Sequence, residues 1–299
     1  MCEIWRITER AEISPQQLQD MLPDIERLEV EQVVFSGGEP LLHSDLGALA
    51  RPLRALGIRL TLLTTGLLLE RHAELAAECF DEVIVSLDGP PEVHDRVRRV
   101  PEAFGLLERG VRALGGRVPT AGRCTVQSEN AGALRATVAT ARRLGLESIS
   151  FLAADLSSEA FHRPGGWTAE KQAEVSGGPA ALAVLEREVE ALIVEEAASI
   201  EAGFIRESPE KLRRIAGRFR EALGLAQPQA PRCNAPWVSA VVETDGALRP
   251  CFFHAEVGNV LAGGLAGGVN GARAEEFRSR LDVAEDPTCR RCVCSLYRA

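Results

Sequence analysis

The sequence predicts an α/β fold in which strand and helix alternate to build a parallel sheet or barrel, followed by a smaller C-terminal unit. Three observations predict it: short apolar runs that each stop at a Gly or hydroxyl-rich turn, stretches of helical spacing between them, and a crowd of cysteines near the end. A chain of 299 residues is long enough for one large domain and a smaller one.

The first helix is announced by Ser14-Pro15-Gln16-Gln17, a capping box with proline at the first helical position, and carries Leu18, Met21, Leu22, Ile25 and Leu28 on one face. Val33-Val34-Phe35 then reads as a buried parallel strand ending at Ser36-Gly37-Gly38. The unit repeats: helical spacing over 46–56 leads to a strand over 58–63, and 68–79 leads to 83–87. After 104–114 (helical), 123–127 (extended), 131–144 (helical) and 148–152 (extended), the rhythm breaks at Arg163-Pro164-Gly165-Gly166. Long helices over 180–198 and 208–223 read as connectors, and the Pro/Gln-rich segment 226–232 as a boundary. Strands around Asp245-Gly246 predict a hairpin, and the Gly/Ala-rich 262–272 a surface loop. The domains expected are 1–165, 166–228 and 229–299.

Composition narrows the function. A net charge of -9 disfavours a nucleic-acid backbone as partner. No signal region and no uncharged apolar run of bilayer length is present, so no membrane contact and a cytoplasmic location are expected. In a reducing compartment eight cysteines are poor disulfide candidates; Cys233, Cys251, Cys289, Cys292 and Cys294, crowded together, point to a metal. Two thiols around a hairpin and a CxxC turn suit either zinc or an iron-sulfur cluster. Cys79 and Cys124, inside apolar patterns, read as buried structural thiols.

Phe35-Ser36-Gly37-Gly38-Glu39-Pro40 lies where a strand of a parallel βα barrel meets the active face. Two glycines let a ligand approach the backbone, and the adjacent carboxylate can grip an ammonium group. On this motif the chain resembles the radical S-adenosylmethionine (SAM) superfamily. The resemblance implies a partial (β/α)6 TIM-like barrel, SAM contacts from Gly37, Gly38, Glu39 and Pro40, and Glu39 on the methionine amino group. Thr64-Thr65-Gly66 and Ser86-Leu87-Asp88-Gly89 stand at further strand ends, and the resemblance carries ribose or carboxylate contacts to Thr64, Ser86 and Asp88. Thr65 departs from the family's Thr-Asn-Gly and is left out. His94-Asp95-Arg96-Val97-Arg98 resembles a family stretch that fixes the local loop, and Asp155, on the predicted active side, either contacts substrate or cofactor or caps the following turn.

Met1-Cys2-Glu3-Ile4-Trp5 resembles the end of the family's Cys-x3-Cys-x2-Cys loop, with Cys2 the third ligand of a core 4Fe-4S cluster. The first barrel strand and two cysteines are then missing, the chain as written is expected to be inactive, and a start codon assigned too late is the favoured explanation. A barrel without its first strand should expose a sheet edge at Val33 to Phe35. The C-terminal segment, from Cys233-Asn234-Ala235-Pro236-Trp237 through Gly258-Asn259 to the CxxC tail, resembles the SPASM or twitch domain. That implies one auxiliary 4Fe-4S cluster on Cys233, Cys251, Cys289 and Cys292, with Cys294 a substitute ligand or bystander.

Taken together, the resemblance implies an oxidoreductase or maturase that makes a 5'-deoxyadenosyl radical and takes hydrogen from a peptide or small-molecule substrate. A reductant such as a flavodoxin or ferredoxin serves as partner, with no nucleic acid. No acid-base pair is visible, and no catalytic side chain is assigned. Two rival readings are a non-catalytic remnant and an α/β binding protein capped by a zinc ribbon.

Overall fold

The computed structural model describes residues 3, 4 and 11–298; Met1, Cys2, residues 5–10 and Ala299 lie outside. Five strands, β1 (Gln32–Phe35), β2 (Arg59–Thr64), β3 (Glu82–Ser86), β4 (Thr120–Val126) and β5 (Ser148–Ala153), form one sheet in sequential order, each parallel to its neighbour. This is the partial barrel expected. Sequential order follows from the helical crossovers, which return the chain to the same end of the sheet before each strand.

The Pro15–Arg27 helix begins at the expected capping box, with Ser14 Oγ accepting from Gln17 N and Gln17 reaching back to Ser14 N. Its Leu18, Met21 and Ile25 are buried. Leu60, Leu62, Val83, Val85, Cys124 and Phe151 also face the helical layer and are buried, while their neighbours Ile84, Ser86, Arg123, Ser150 and Leu152 are half-buried on the lumen side. Cys79 and Cys124 are buried and free, as expected.

The sheet ends differently at its two sides. β1 pairs only with β2 among the described residues, and Val34 on it is 51% exposed, so the anticipated open edge is there. Beside β5, Phe204–Arg206 adds a single parallel bridge at Ile205, with Ile149 N donating to Phe204 O at 2.7 Å. Glu207 extends this ladder with a side chain, accepting Phe151 N at 2.8 Å.

The helices Gly178–Glu195 and Pro209–Ala222 pack on each other and lead to a second sheet of β6 (Val241–Val242), β7 (Ala247–Arg249) and β8 (Gly258–Asn259), all antiparallel. The β6–β7 hairpin turns at Asp245-Gly246 as expected, with Gly246 at φ +82°.

The segment 262–272 corrects the sequence reading: it is not a surface loop. It forms short helices, Val260–Gly263 and Leu265–Val269, whose Leu265 and Ala266 are buried against the Pro15–Arg27 helix. Asp24 there accepts Ala266 N at 2.8 Å. Glycine is needed for this packing, since a Cβ on Gly268 would stand 2.7 Å from Leu248 Cδ2. The helices Pro91–Arg98 and Ala169–Ser176 were also not read from the sequence.

Candidate functional site

At the C-terminal end of β1 the chain turns through Gly37 at φ +127°, and nothing lies within 4 Å of where its Cβ would be. The backbone is bare toward open space, as close approach of a ligand requires. Gly38 is tighter, its Cβ position lying 3.2 Å from Ile4 Cγ2, and Pro40 is buried at the start of a short 3-10 turn. Glu39 then ties three segments together. Its Oε1 accepts Thr64 Oγ1 at 2.7 Å and Leu41 N at 3.2 Å, and its Oε2 accepts Thr65 N at 2.8 Å and the Thr65 hydroxyl. The chain's own donors therefore fill the four acceptor directions of the carboxylate. An incoming ammonium must displace a donor, and the two threonine hydroxyls are the ones that can rotate away.

Thr65 is thus a site residue that the sequence reading left out. Its departure from a family pattern hid it, although a hydroxyl immediately after a buried strand is itself a signal.

The lumen carries a second polar row. By register Ser86 lies beside Arg123 and Arg123 beside Ser150, all half-buried, with Arg123 Nε donating to Ser150 Oγ at 3.3 Å. Arg123 went unnoticed in the sequence; a lone cation at an alternate position of an apolar strand was its signal.

Asp88, expected as a cofactor contact, is placed apart from this row. Its side chain is fully buried, takes Thr125 N at 2.9 Å and faces Arg98 Nη2 at 2.7 Å. Its backbone is held too, by His94 Nδ1 accepting Asp88 N at 3.2 Å and Asn130 Nδ2 donating to Asp88 O at 3.0 Å. Burial, and then the Arg98 charge, push His94 down to about 3, so this imidazole is a neutral acceptor. The group pins the β3 strand end to β4. Asp155 caps its own turn, accepting Ser157 N and Ser158 N at 3.3 Å each and pairing with buried Arg163.

The second constellation surrounds the hairpin. Cys233 Sγ accepts Ala235 N at 3.5 Å, and burial pushes the Cys251 thiol up, with the Phe253 and His254 backbone opposing it. Cys289 sits in the short helix Pro287–Arg290, whose first N–H groups are capped by Asp286. Desolvation pushes Cys292 up to about 12 and Cys294 up to about 11, with the neighbouring thiols adding to both. Cys294 is exposed at the surface, and the Arg123 and Asp155 charges reach its thiol.

The tail is anchored on the connecting helix. Arg214 donates to Cys292 O at 3.1 Å, and Arg218 donates to Arg290 O at 2.5 Å and to Gln229 O at 2.7 Å.

The spacing of the thiols suits a cluster better than a single zinc ion. Among the described residues no three of the five thiols lie within 4.8 Å of one another; the one such group is His254, Asp286 and Cys289. Four thiolates on one zinc, at bonds of roughly 2.3 Å in a tetrahedron, stand roughly 3.8 Å apart. Thiols coupled electrostatically but set wider suit a multi-iron cluster. The core site is different: Cys2 lies outside the described residues and is the one cysteine ahead of Gly37 in this sequence.

Comparison with known proteins agrees with this division. Residues 1–141 match the family model of the Radical SAM superfamily, and residues 233–293 match that of SPASM, an iron-sulfur cluster-binding domain. Over its first 141 residues the chain is thus similar to radical SAM proteins, and over 233–293 to SPASM domains; domains of these two types bind SAM and 4Fe-4S clusters.

Curated relatives include the pre-heme d1 synthase of Dinoroseobacter shibae, 39% identical over 104 residues, covering 34% of this chain and 26% of the relative. The mycofactocin maturase MftC of Mycolicibacterium smegmatis is 37% identical over 106 residues, covering 34% and 26%. The chain's match thus spans about a quarter of the length of these relatives.

Among solved structures, native anSMEcpe with bound AdoMet superposes at a TM-score of 0.65 with 18% identity, over 95% of this chain and 80% of that one. Streptococcus suis SuiB bound to precursor peptide SuiA gives 0.59 and 15%, over 99% and 69%. These likenesses establish the fold. No helix among the described residues is long and apolar enough to cross a membrane.

Proposed function

We propose that this protein acts as a radical SAM oxidoreductase or maturase on a peptide or small-molecule substrate held over the barrel lumen, with a 4Fe-4S auxiliary cluster on Cys233, Cys251, Cys289 and Cys292. The observation that carries the reading is Glu39, whose carboxylate is pinned by Thr64 and Thr65 beside the bare backbone of Gly37.

When bound, SAM and a reduced 4Fe-4S cluster supply the one-electron chemistry that removes hydrogen from an unactivated carbon. The chain's residues do the placing. Glu39 accepts the SAM ammonium, with Gly37 and Gly38 leaving room for the methionine chain and Pro40 fixing the turn. Ser86 and Arg123, side by side on the lumen wall, offer a hydroxyl and a cation to a carboxylate. Thr64 holds Glu39 rather than the nucleoside. The apolar lumen positions Leu63, Ile84 and Leu152 limit water near the substrate.

Cys2 supplies one thiolate of a core cluster. Cys294, exposed to solvent, is the bystander of the auxiliary set.

The test uses the gene product read in frame upstream of Met1, reconstituted with iron and sulfide without oxygen and incubated with SAM and a reductant. Release of 5'-deoxyadenosine, lost in Glu39→Ala, is the expected result. Uptake of zinc alone with SAM left intact overturns the proposal and favours the zinc-capped binding protein.

A further inference from the structure

His254 links the two halves of the auxiliary thiol set. It follows Cys251 by three residues on the hairpin side, and its ring Nε2 lies 3.4 Å from Cys289 Sγ of the tail. Cys251 comes from the hairpin and Cys289 from the tail, so one residue spans the two segments that must converge on a cluster. The ring is not free to swing: it is 8% exposed, packs edge-on against Phe277 with centroids 4.9 Å apart, and its backbone C=O accepts Arg249 Nη1 at 3.2 Å.

Two acceptors decide which ring nitrogen carries the proton. Nε2 faces Cys289 Sγ and, at 3.7 Å, Asp286 Oδ1, so once Cys289 is a thiolate the proton belongs on Nε2. Asp286 Oδ1 is already engaged by Thr288 N at 2.9 Å and Cys289 N at 2.8 Å, leaving the sulfur as the better acceptor. His254 is also not a competing ligand. Each iron of a 4Fe-4S cluster takes one terminal ligand, and a nitrogen within hydrogen-bond distance of a ligand sulfur shares that sulfur's corner of the cluster.

We propose that His254 is a positioning residue for the auxiliary cluster, its Nε2–H donating to the Cys289 sulfur and raising the cluster's reduction potential. The proposal rests on the reading that Cys289 is a cluster ligand. A donor on a ligating thiolate disperses negative charge, and it does so most in the reduced, more negative cluster, so the reduced form is favoured.

The experiment reads potential rather than turnover. The reduced electron paramagnetic resonance signal of the auxiliary cluster is titrated in a Cys2→Ala background, which removes a thiolate of the core site. His254→Ala, reconstituted without oxygen, is expected to bind as much iron and sulfide as the parent. At the parent's midpoint its ratio of reduced to oxidised cluster should fall about tenfold, which is a negative shift of about 59 mV for one electron. His254→Gln, whose amide N–H can reach the same sulfur, should recover most of the shift. His254→Phe keeps the packing on Phe277 without an N–H and should behave like His254→Ala, which guards against a misfolded alanine variant.

A fully loaded His254→Phe with the parent midpoint overturns the inference. So does loss of the cluster from the Phe and Gln variants alike, which makes the residue structural. Full iron in Cys289→Ala instead overturns the ligand assignment beneath it.

Discussion

Glu39 and Thr65 meet across two strand ends, the carboxylate of one accepting both the backbone N–H, at 2.8 Å, and the hydroxyl of the other. The residue after β2 thus sets the direction of the carboxylate after β1. Thr65→Val keeps the N–H and removes the hydroxyl, so it should cost about 1 kcal/mol of stability, measured by urea denaturation. It also frees one acceptor direction on Glu39. If the hydroxyl competes with the SAM ammonium, SAM should bind the cluster-loaded full-length protein no more weakly in Thr65→Val than in the parent; clearly weaker binding overturns the displacement argument.

The turn that presents Thr65 depends on Gly66, which stands at φ +83° with its Cβ position 2.5 Å from Leu107 Cδ1. Gly66→Ala meets both a backbone penalty of about 1 kcal/mol and an overpacking cost of about 1–3 kcal/mol. A drop in melting temperature is expected, and an unchanged one would show that the Ala103–Leu114 helix yields to the added methyl.

Asp88, wholly buried, pairs with Arg98, whose side chain is 18% exposed, at the end of β3. Asp88→Ala leaves the Arg98 charge part-buried and Thr125 N without its acceptor, so it should destabilise the fold by about 1–3 kcal/mol. Asp88→Asn, which can still accept from Thr125 N, should cost less. A direct ligand role makes the opposite prediction, namely a parent-like melting curve for Asp88→Asn with SAM binding lost.

Much of this was legible in the sequence because local patterns sufficed. Val83, Val85, Leu60 and Leu62 advertise strands, Ser14 and Gln17 write a helix start, and Gly37-Gly38-Glu39 together with the clustered cysteines carry the family resemblance. The rest concerns partners distant in the chain. Nothing near Asp88 reveals that Thr125 and Arg98 close around it, so it looked like a strand-end ligand. Gly268 looked like loop because a packing requirement against Leu248 and flexibility leave the same residue in the sequence. His254 had no motif at all; it became visible only when the hairpin and tail brought Cys251 and Cys289 to it.

The auxiliary assignment separates ligands from bystanders. Cys233→Ala, Cys251→Ala, Cys289→Ala and Cys292→Ala should each lower iron and sulfide content of the reconstituted chain, while Cys294→Ala should leave both unchanged. Metal binding must strip protons from thiols whose pKa burial has raised, so loading should be faster and more complete as pH rises from neutrality. Equal iron content in Cys294→Ala and Cys292→Ala would reverse the assignment of the tail.

Glu207 supplies a pH dependence of the fold itself. It stands in for a strand by accepting Phe151 N at 2.8 Å, and desolvation pushes its carboxyl up to about 7 despite that bond. In the unfolded chain the same group titrates near 4.3. The folded state therefore holds a proton that the unfolded state has released between these values, and stability rises as pH falls through that window. The contribution is complete below the unfolded value and is lost as pH climbs through about 7. Over the whole window it amounts to about 4 kcal/mol.

Glu207→Gln keeps an oxygen for Phe151 N and removes the ionisation, so it should melt higher than the parent at pH 8 and close to it at pH 5. The difference between the two proteins should shrink steadily as pH falls. A constant difference across that range would show that Glu207 is ionised throughout, with Arg123 or Lys211 bearing its charge.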